Sequence, residues 1–218
     1  MKRREPDFAA LRDRMVAEQL EARGITDARV LEAMRRVPRE AFTDADDRKR
    51  AYEDIPIQIG WAQTISQPYM VALICEAAAV RPGQRVLDVG TGSGYQAAVL
   101  AELGADVDTI ERIPQLAERA AEKLAAAGYG EDRVRVHLGD GSLGLPERAP
   151  FDAITVAAAA PEPPPTLYEQ LVLGGRLVVP IGNRRNQRLE VVVRSPEGPA
   201  VVHSVPCRFV PLVGAEGY

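Results

Sequence analysis

A short apolar run feeding directly into alternating glycines restricts this chain more than any other feature. Arg85-Val86-Leu87-Asp88-Val89 has the length and apolar content of a strand buried on both faces, and it runs straight into Gly90-Thr91-Gly92-Ser93-Gly94, followed by a small-residue helix to about Leu103. Glycines at such a turn let a ligand approach the backbone, and the helix start behind them offers free N–H groups. The pattern then repeats. Asp106 to Ile110 reads as a strand ending at Glu111, Ile113 to Ala127 as a helix stopped by Gly128, and Val134 to Leu138 as a strand ending at Gly139-Asp140-Gly141. Phe151 to Val156 is a fourth strand, a helix is expected around Leu167 to Leu171, and Gly174-Gly175 opens a fifth strand over Arg176 to Pro180. Strands alternating with helices at this spacing form βαβ units, hence a doubly wound α/β sheet that is mostly parallel. Arg188 to Arg194, the turn Ser195-Pro196-Glu197-Gly198 and Ala200 to Val210 add an antiparallel C-terminal edge.

The N-terminal quarter reads differently. Phe8, Leu11, Met15, Val16 and Leu20 recur at helical steps, with Gly24 as the stop. Thr26-Asp27 caps a second helix carrying Val30, Leu31 and Met34, and Pro38 follows it. Asp44 to Trp61 reads as irregular, and a further helix is expected from about Pro68 to Ala79. Residues 1–80 are thus expected to be a helical segment with a loop, part of the same domain as the sheet-forming core of residues 81–218. The 218 residues suffice for a buried core without disulfides or metal.

Charge and composition narrow the partners. With 27 basic against 31 acidic residues the net charge is −4 and the pI near 5.4, which argues against sequence-independent phosphate binding, so no nucleic-acid partner is expected. No apolar run approaches a membrane span, and the basic start Met1-Lys2-Arg3-Arg4 lacks the apolar stretch of a secretory signal; a cytoplasmic protein with no membrane partner is expected, acting as a monomer. Cys75 and Cys207 stand far apart, and His137 and His203 are the only histidines, so no metal site and no histidine-centred triad are expected. Both cysteines and both histidines read as structural. Asn183 to Arg188 reads as a solvated basic turn, and the prolines between Pro161 and Pro165 are expected to wall a cleft beside the fourth strand.

The glycine spacing is G-x-G-x-G, not the G-x-G-x-x-G of dinucleotide sites, and Asp88 stands two residues before the first glycine. A carboxylate there disfavours a pyrophosphate and favours an ammonium or sulfonium. Glu111, about 20 residues after Gly90, is placed to accept hydrogen bonds from both hydroxyls of a ribose. Asp140 ends the third strand, where an adenine amino group is within reach. Three acids at three successive strand ends suit S-adenosylmethionine, although each alone also reads as a helix cap or turn residue. The stretch Ile57 to Pro68 is a second candidate: an irregular segment rich in amides and hydroxyls, in which Ser66 is placed either to bind a carboxylate or simply to cap the next helix.

Ile59-Gly60, Gln63-Thr64-Ile65-Ser66-Gln67-Pro68-Tyr69, Val86 to Leu100, Glu111-Arg112, Gly139-Asp140-Gly141 and Arg208-Phe209-Val210-Pro211-Leu212 together resemble the protein-L-isoaspartate O-methyltransferases, from about Met15 to Val213. The resemblance implies a Rossmann-like methyltransferase sheet and transfer of a methyl group from S-adenosylmethionine, leaving S-adenosylhomocysteine, to the free α-carboxyl of L-isoaspartyl (and D-aspartyl) residues in damaged proteins and peptides. The ester then closes to a succinimide that partly reopens to aspartate. It places the family's active-site serine on Ser66, the substrate side on Gln63, Thr64, Ile65 and Ser66, and the cofactor contacts on Ile59, Gly60, Asp88, Gly90, Thr91, Gly92, Glu111, Asp140 and Gly141. Two features depart from the family pattern: Trp61-Ala62 stands where a His-Gly or similar pair is ordinary, and no cofactor contact carries onto the segment after Leu212.

A carboxylate acceptor, with a pKa of about 3.5, is already ionised at neutral pH and needs no general base. Scarce histidine is then no obstacle, because aligning acceptor and methyl supplies the rate. Other readings remain open from the residues alone. One is a methyltransferase of another acceptor, although the fourth strand ends Val156-Ala157-Ala158-Ala159 without the Asn/Asp-Pro-Pro-aromatic segment used on nucleic-acid amino groups. Another is a noncatalytic nucleotide-binding domain, which has no need of the Gln63 to Pro68 segment. A dehydrogenase is disfavoured by the glycine spacing and by Asp88.

Overall fold

Asp7 begins the ordered helices by accepting the Ala10 N–H at 3.1 Å, capping α1 (Phe8–Met15). This is a computed structural model that describes residues 6–218; the basic start, residues 1–5, lies outside the described residues. The single helix expected to Leu20 is not uniform. Val16–Leu20 widens into a π turn and Glu21–Arg23 tightens into a 3-10 turn, closing at Gly24 with φ +94°. The wider turn accompanies the joint burial of Met15, Val16 and Leu20. α2 (Ala28–Arg36), capped by Asp27, buries Val30, Leu31 and Met34.

The stretch expected to be irregular contains a hairpin, β1 (Ile57–Gly60) and β2 (Gln63–Ile65). Its turn is Trp61-Ala62, which lacks the Asn-Gly or Gly-Gly signal that marks a two-residue hairpin in a sequence. α3 (Pro68–Ala78) follows, started by its proline.

The core alternates β3 (Arg85–Val89), α4 (Tyr95–Glu102), β4 (Asp106–Glu111), α5 (Pro114–Ala126), β5 (Val134–Leu138), β6 (Phe151–Val156), α6 (Pro165–Glu169), β7 (Leu171–Gly182), β8 (Gln187–Ser195) and β9 (Gly198–Cys207). These strands form one seven-stranded sheet of order β5-β4-β3-β6-β7-β8-β9. β3 to β7 are parallel, and β8 and β9 add the antiparallel edge in simple meander order. The chain steps outward from β3 to β4 to β5, then returns to β6 on the other side of β3. That reversal creates a crevice at the carboxyl ends of β3 and β6, the usual ligand position in such sheets.

Two boundaries differ from expectation. β7 starts at Leu171, because Phe151 pairs with Leu171 while Ala153 pairs with Arg176, and the residues around Gly174 (φ +81°) bulge between them. β9 ends at Cys207, and Val210 to Leu212 leaves the sheet to run beside Ala159, whose N–H donates to the Val210 carbonyl and whose carbonyl accepts from the Leu212 N–H, each at 2.7 Å.

The two faces of the sheet are covered unequally. Val86, Val107, Ala153 and Val178 pack with the N-terminal helices and with α3, α4 and α5 in one buried cluster. Leu87, Ile110, Ile154, Leu177 and Val179 face a smaller cluster closed by Leu167 of α6, Leu145 and Leu212. Among the described residues no helix is long and apolar enough to cross a membrane. Leu100 of α4 is fully buried in the larger cluster. Leu100→Ala is expected to lower the unfolding free energy by about 2–5 kcal/mol in a urea titration, and a loss below about 1 kcal/mol would contradict this assignment of the core.

Candidate active site

The glycine turn takes its shape from backbone conformations that side chains resist. Gly90, Gly92 and Gly94 have φ of +91°, +53° and +89°. The Gly90 N–H donates to the Ile110 carbonyl at 2.9 Å and the Gly94 N–H to the Thr91 carbonyl at 2.8 Å, so the turn is pinned to β4 before α4 begins.

Asp88 sits beneath this turn, completely buried. Its Oδ1 accepts from Gln96 Nε2 at 2.7 Å and from Thr155 Oγ1 at 2.8 Å, and its Oδ2 lies 3.2 Å from Thr109 Oγ1. Thr109 in turn shares a hydrogen bond with the Thr91 hydroxyl at 2.7 Å. Burial pushes the Asp88 carboxyl up to about 6 against the opposing effect of these hydrogen bonds. The structure therefore places Asp88 behind the ligand wall, where it acts through Gln96 and the threonines.

Above the turn lies a cavity of about 770 Å³, open to solvent. Its floor is Gly90 to Ser93, Glu111 and Arg112 form one side, and Gln63, Thr64, Ile65 and Ser66 form the opposite wall. Gly141 also lines it, and a Cβ there would meet Val89 Cγ1 at 2.6 Å, so this position admits only glycine without a shift. Ile59 does not line the cavity; it supports the turn from behind, its Cδ1 lying 3.4 Å from where a Cβ on Gly92 would stand. Gly60 is exposed beyond it.

Glu111 is nearly buried, with Oε2 accepting from the Gly92 N–H at 2.9 Å and Oε1 from the Ile113 N–H at 3.0 Å. A carboxylate has about four lone-pair sites, so both oxygens retain capacity for two ligand hydroxyls. Gln96 lines the same cavity, and its Oε1 is buried without a partner among the described residues. An acceptor in that position suits a cationic donor. Glycine floor, acidic side wall and orphaned amide oxygen together fit an adenosyl ligand with a positive charge.

Asp140 differs from its sequence reading. Its Oδ1 accepts from the Ser142 N–H at 2.9 Å and the Ser142 hydroxyl at 2.7 Å, while Oδ2 accepts from the Ala215 N–H at 2.8 Å. These hydrogen bonds outweigh burial and hold its carboxyl below the usual range. Asp140 is therefore occupied with the C-terminal segment, and its neighbour Gly141 faces the cavity. Val210 to Leu212 line the cavity, and so does Val213, the first residue of the segment that was silent in the sequence. Glu216 completes the closure, its carboxylate accepting from the Thr166 N–H at 3.0 Å and the Thr166 hydroxyl at 2.5 Å. The prolines from 161 to 165 do not wall the cleft; Ala157 and Ala158 occupy that position.

Sequence reasoning also missed Arg39. It is fully buried, donating through Nε to the Ala51 carbonyl and through Nη2 to the Ser66 carbonyl, each at 2.7 Å, with its guanidinium 4.9 Å from the centre of the Tyr95 ring. Burial lowers its pKa to about 10, which leaves it charged at neutral pH. Nothing near Arg39 in sequence advertises this role, because its partners come from three separate segments. Among the described residues no group of three His, Cys, Asp or Glu side chains is placed to hold a metal ion.

The profile of the protein-L-isoaspartate(D-aspartate) O-methyltransferase family matches residues 11–217. The chain belongs to that family. It is 52% identical to protein-L-isoaspartate O-methyltransferase 1 of Rhodopseudomonas palustris (strain HaA2), over 97% of this chain and 86% of the relative. A solved protein-L-isoaspartate O-methyltransferase superposes with a TM-score of 0.84 at 30% identity, covering 94% of this chain and 67% of that one. A Plasmodium falciparum β-aspartate methyltransferase structure in complex with S-adenosyl-L-homocysteine gives a TM-score of 0.77 at 27% identity, covering 96% and 98%. The fold is the Rossmann-like methyltransferase sheet that the family resemblance implied.

The raised pKa of Asp88 has a definite sign for stability. Its carboxyl ionises near 3.8 when unfolded and about 6 when folded, so its contribution is fully present below pH 4 and is lost as pH rises through 6. The span corresponds to at most about 3 kcal/mol. Asp88→Asn is expected to flatten the dependence of the urea midpoint on pH between about 4 and 6. An unchanged pH profile in the variant would show that another group carries it.

Proposed function

We propose that this chain transfers the methyl group of S-adenosylmethionine to the free carboxyl of damaged residues in polypeptides, the α-carboxyl of L-isoaspartyl and the β-carboxyl of D-aspartyl residues, with Ser66 positioning the acceptor. The observation that carries this reading is the meeting of two walls across one cavity: the glycine turn with Glu111 on one side and Gln63 to Ser66 on the other. Bound S-adenosylmethionine supplies the electrophile, a methyl group on a sulfonium.

The residues of the chain supply position. Glu111, Gly90, Thr91, Gly92 and Gly141 hold the adenosyl part, with Glu111 accepting the ribose hydroxyls. Asp88 keeps the floor in shape from below and offers its buried charge to a cationic ligand. Asp140 acts by holding the C-terminal segment closed, and Ile59 supports the turn from β1. Ser66 donates its hydroxyl to one oxygen of the acceptor carboxylate, which leaves the other free to face the methyl group. Gln63, Thr64 and Ile65 complete the acceptor wall. Arg39 fixes the Ser66 backbone, so the hydroxyl is presented from a rigid support. No proton has to move, because the acceptor enters as a carboxylate and leaves as an ester. The following backbone amide then attacks the ester carbonyl, expelling methanol and forming a succinimide.

The reading takes the protein as a cytoplasmic monomer acting on polypeptides; the free thiols of Cys75 and Cys207 accord with a reducing compartment.

The test is incubation with methyl-labelled S-adenosylmethionine and two peptides that differ only in Asp against isoAsp. Base-labile label, released as methanol, is expected from the isoAsp peptide alone; equal labelling of both, or of neither, would contradict the proposal. Ser66→Ala removes one hydrogen bond to a charged acceptor and is expected to slow transfer by about 10- to 100-fold. Calorimetric titration with S-adenosylhomocysteine should give a dissociation constant within about twofold of the parent. Loss of that affinity would instead assign Ser66 to the cofactor side.

A further inference from the structure

The hairpin that carries the acceptor wall is held by an unusual turn. Gly60, Trp61 and Ala62 have φ of +94°, +49° and +57°, and the last two are the central residues between β1 and β2. Two successive left-handed residues are the mark of a type I′ turn, where Asn-Gly or Gly-Gly is the unstrained choice. This chain accepts the strain of two residues with Cβ atoms, one of them an indole that is 46% exposed.

The ring is nonetheless held in place. The Arg119 guanidinium lies 5.6 Å from its centre, and Arg119 is itself anchored by donating to the Ile59 carbonyl at 3.3 Å and to the Asp44 carboxylate. Trp61 is also tied to the cavity: its carbonyl accepts from Gln63 Nε2 at 3.2 Å, and Gln63 lines the acceptor wall. Trp61 itself is not among the residues that line the cavity; it stands two positions before Gln63, which is. A polypeptide acceptor cannot fit its flanking residues inside the cavity, so they must leave across a rim.

We propose that Trp61 is the platform on which the polypeptide flanking the modified residue docks, taking an apolar or aromatic side chain against its exposed surface; this rests on the functional reading above. Arg119 behind the ring disfavours a basic side chain at the same place. The occupant is therefore the substrate chain itself, and Trp61 sets preference among damaged sequences without touching the reacting atoms.

Trp61 is the only tryptophan in the chain, so its fluorescence reports this position alone. The intact protein, saturated with S-adenosylhomocysteine, is titrated with an isoAsp heptapeptide carrying a leucine beside the isoAsp, and with its Asp isomer. A saturable change in emission is expected with the isoAsp peptide only. In kinetics, Trp61→Ala is expected to raise KM for the heptapeptide by about tenfold with kcat within about twofold, as for loss of one aromatic anchor. An isoAsp tripeptide, too short to reach the rim, should show KM changed by less than about twofold on the same scale. A second variant, Trp61→Asn with Ala62→Gly, restores an unstrained turn; its thermal midpoint should rise while the heptapeptide KM stays raised. Silent fluorescence with unaltered KM would overturn the proposal while leaving the methyl transfer intact. Equal effects on the long and short peptides would reduce Trp61 to a structural role and overturn it too. Emission that changes with protein concentration alone would make a second copy the occupant and overturn the polypeptide assignment. Absence of transfer to any isoAsp peptide by the parent protein would instead overturn the functional reading itself.

Discussion

The buried carboxylate of Asp88 is the contact on which the rest of the site depends. It reaches α4 through Gln96, β6 through Thr155 and β4 through Thr109, which passes the link on to Thr91 in the glycine turn. Four pieces of the chain that form the crevice are thereby tied to one residue at the end of β3. An unpaired charge in such a place would be costly; here it is met by hydroxyl and amide donors, and its remaining cost appears as a raised pKa. The arrangement trades some stability near neutral pH for a turn whose shape is set in advance of any ligand.

The ligand-facing surface is assembled from both ends of the chain around that turn. The N-terminal hairpin brings Gln63 to Ser66 across the cavity, and Arg39, from the segment after α2, fixes Ser66 through its carbonyl. The C-terminal segment folds back over the opposite side, held by Asp140 and by the pairing of Glu216 with Thr166. The parallel sheet supplies the floor, and elements outside it supply the wall that bears Gln63 to Ser66 and the closure. The larger buried cluster lies on the face that the N-terminal helices cover together with α3, α4 and α5.

What could be read beforehand follows the range of the interactions. The glycine turn, the strands and Glu111 were legible because their signals are local: a short apolar run, a G-x-G-x-G spacing, an acid at a strand end. The β1–β2 hairpin was hidden by its own turn, since Trp61-Ala62 lacks the glycine that normally marks two left-handed residues. Asp140 was found at the right strand end, but its partner Ala215 lies 75 residues away, and no local pattern links the two. Arg39 was overlooked for the same reason. Its burial becomes visible only once Ala51, Ser66 and Tyr95 are brought together.

The central claim is that methyl transfer here relies on position and charge and on no titrating base. Among the groups lining the cavity, Tyr95 is pushed well above its ordinary pKa by burial, so it stays protonated through neutral and mildly alkaline solution. The decisive measurement is the single-turnover rate of methyl transfer to an isoaspartyl peptide, with both substrates saturating, from pH 7 to 9. The account predicts a rate constant within about twofold across that interval. A rate that climbs about tenfold per pH unit would contradict it, because such a slope requires a base that must lose its proton before transfer.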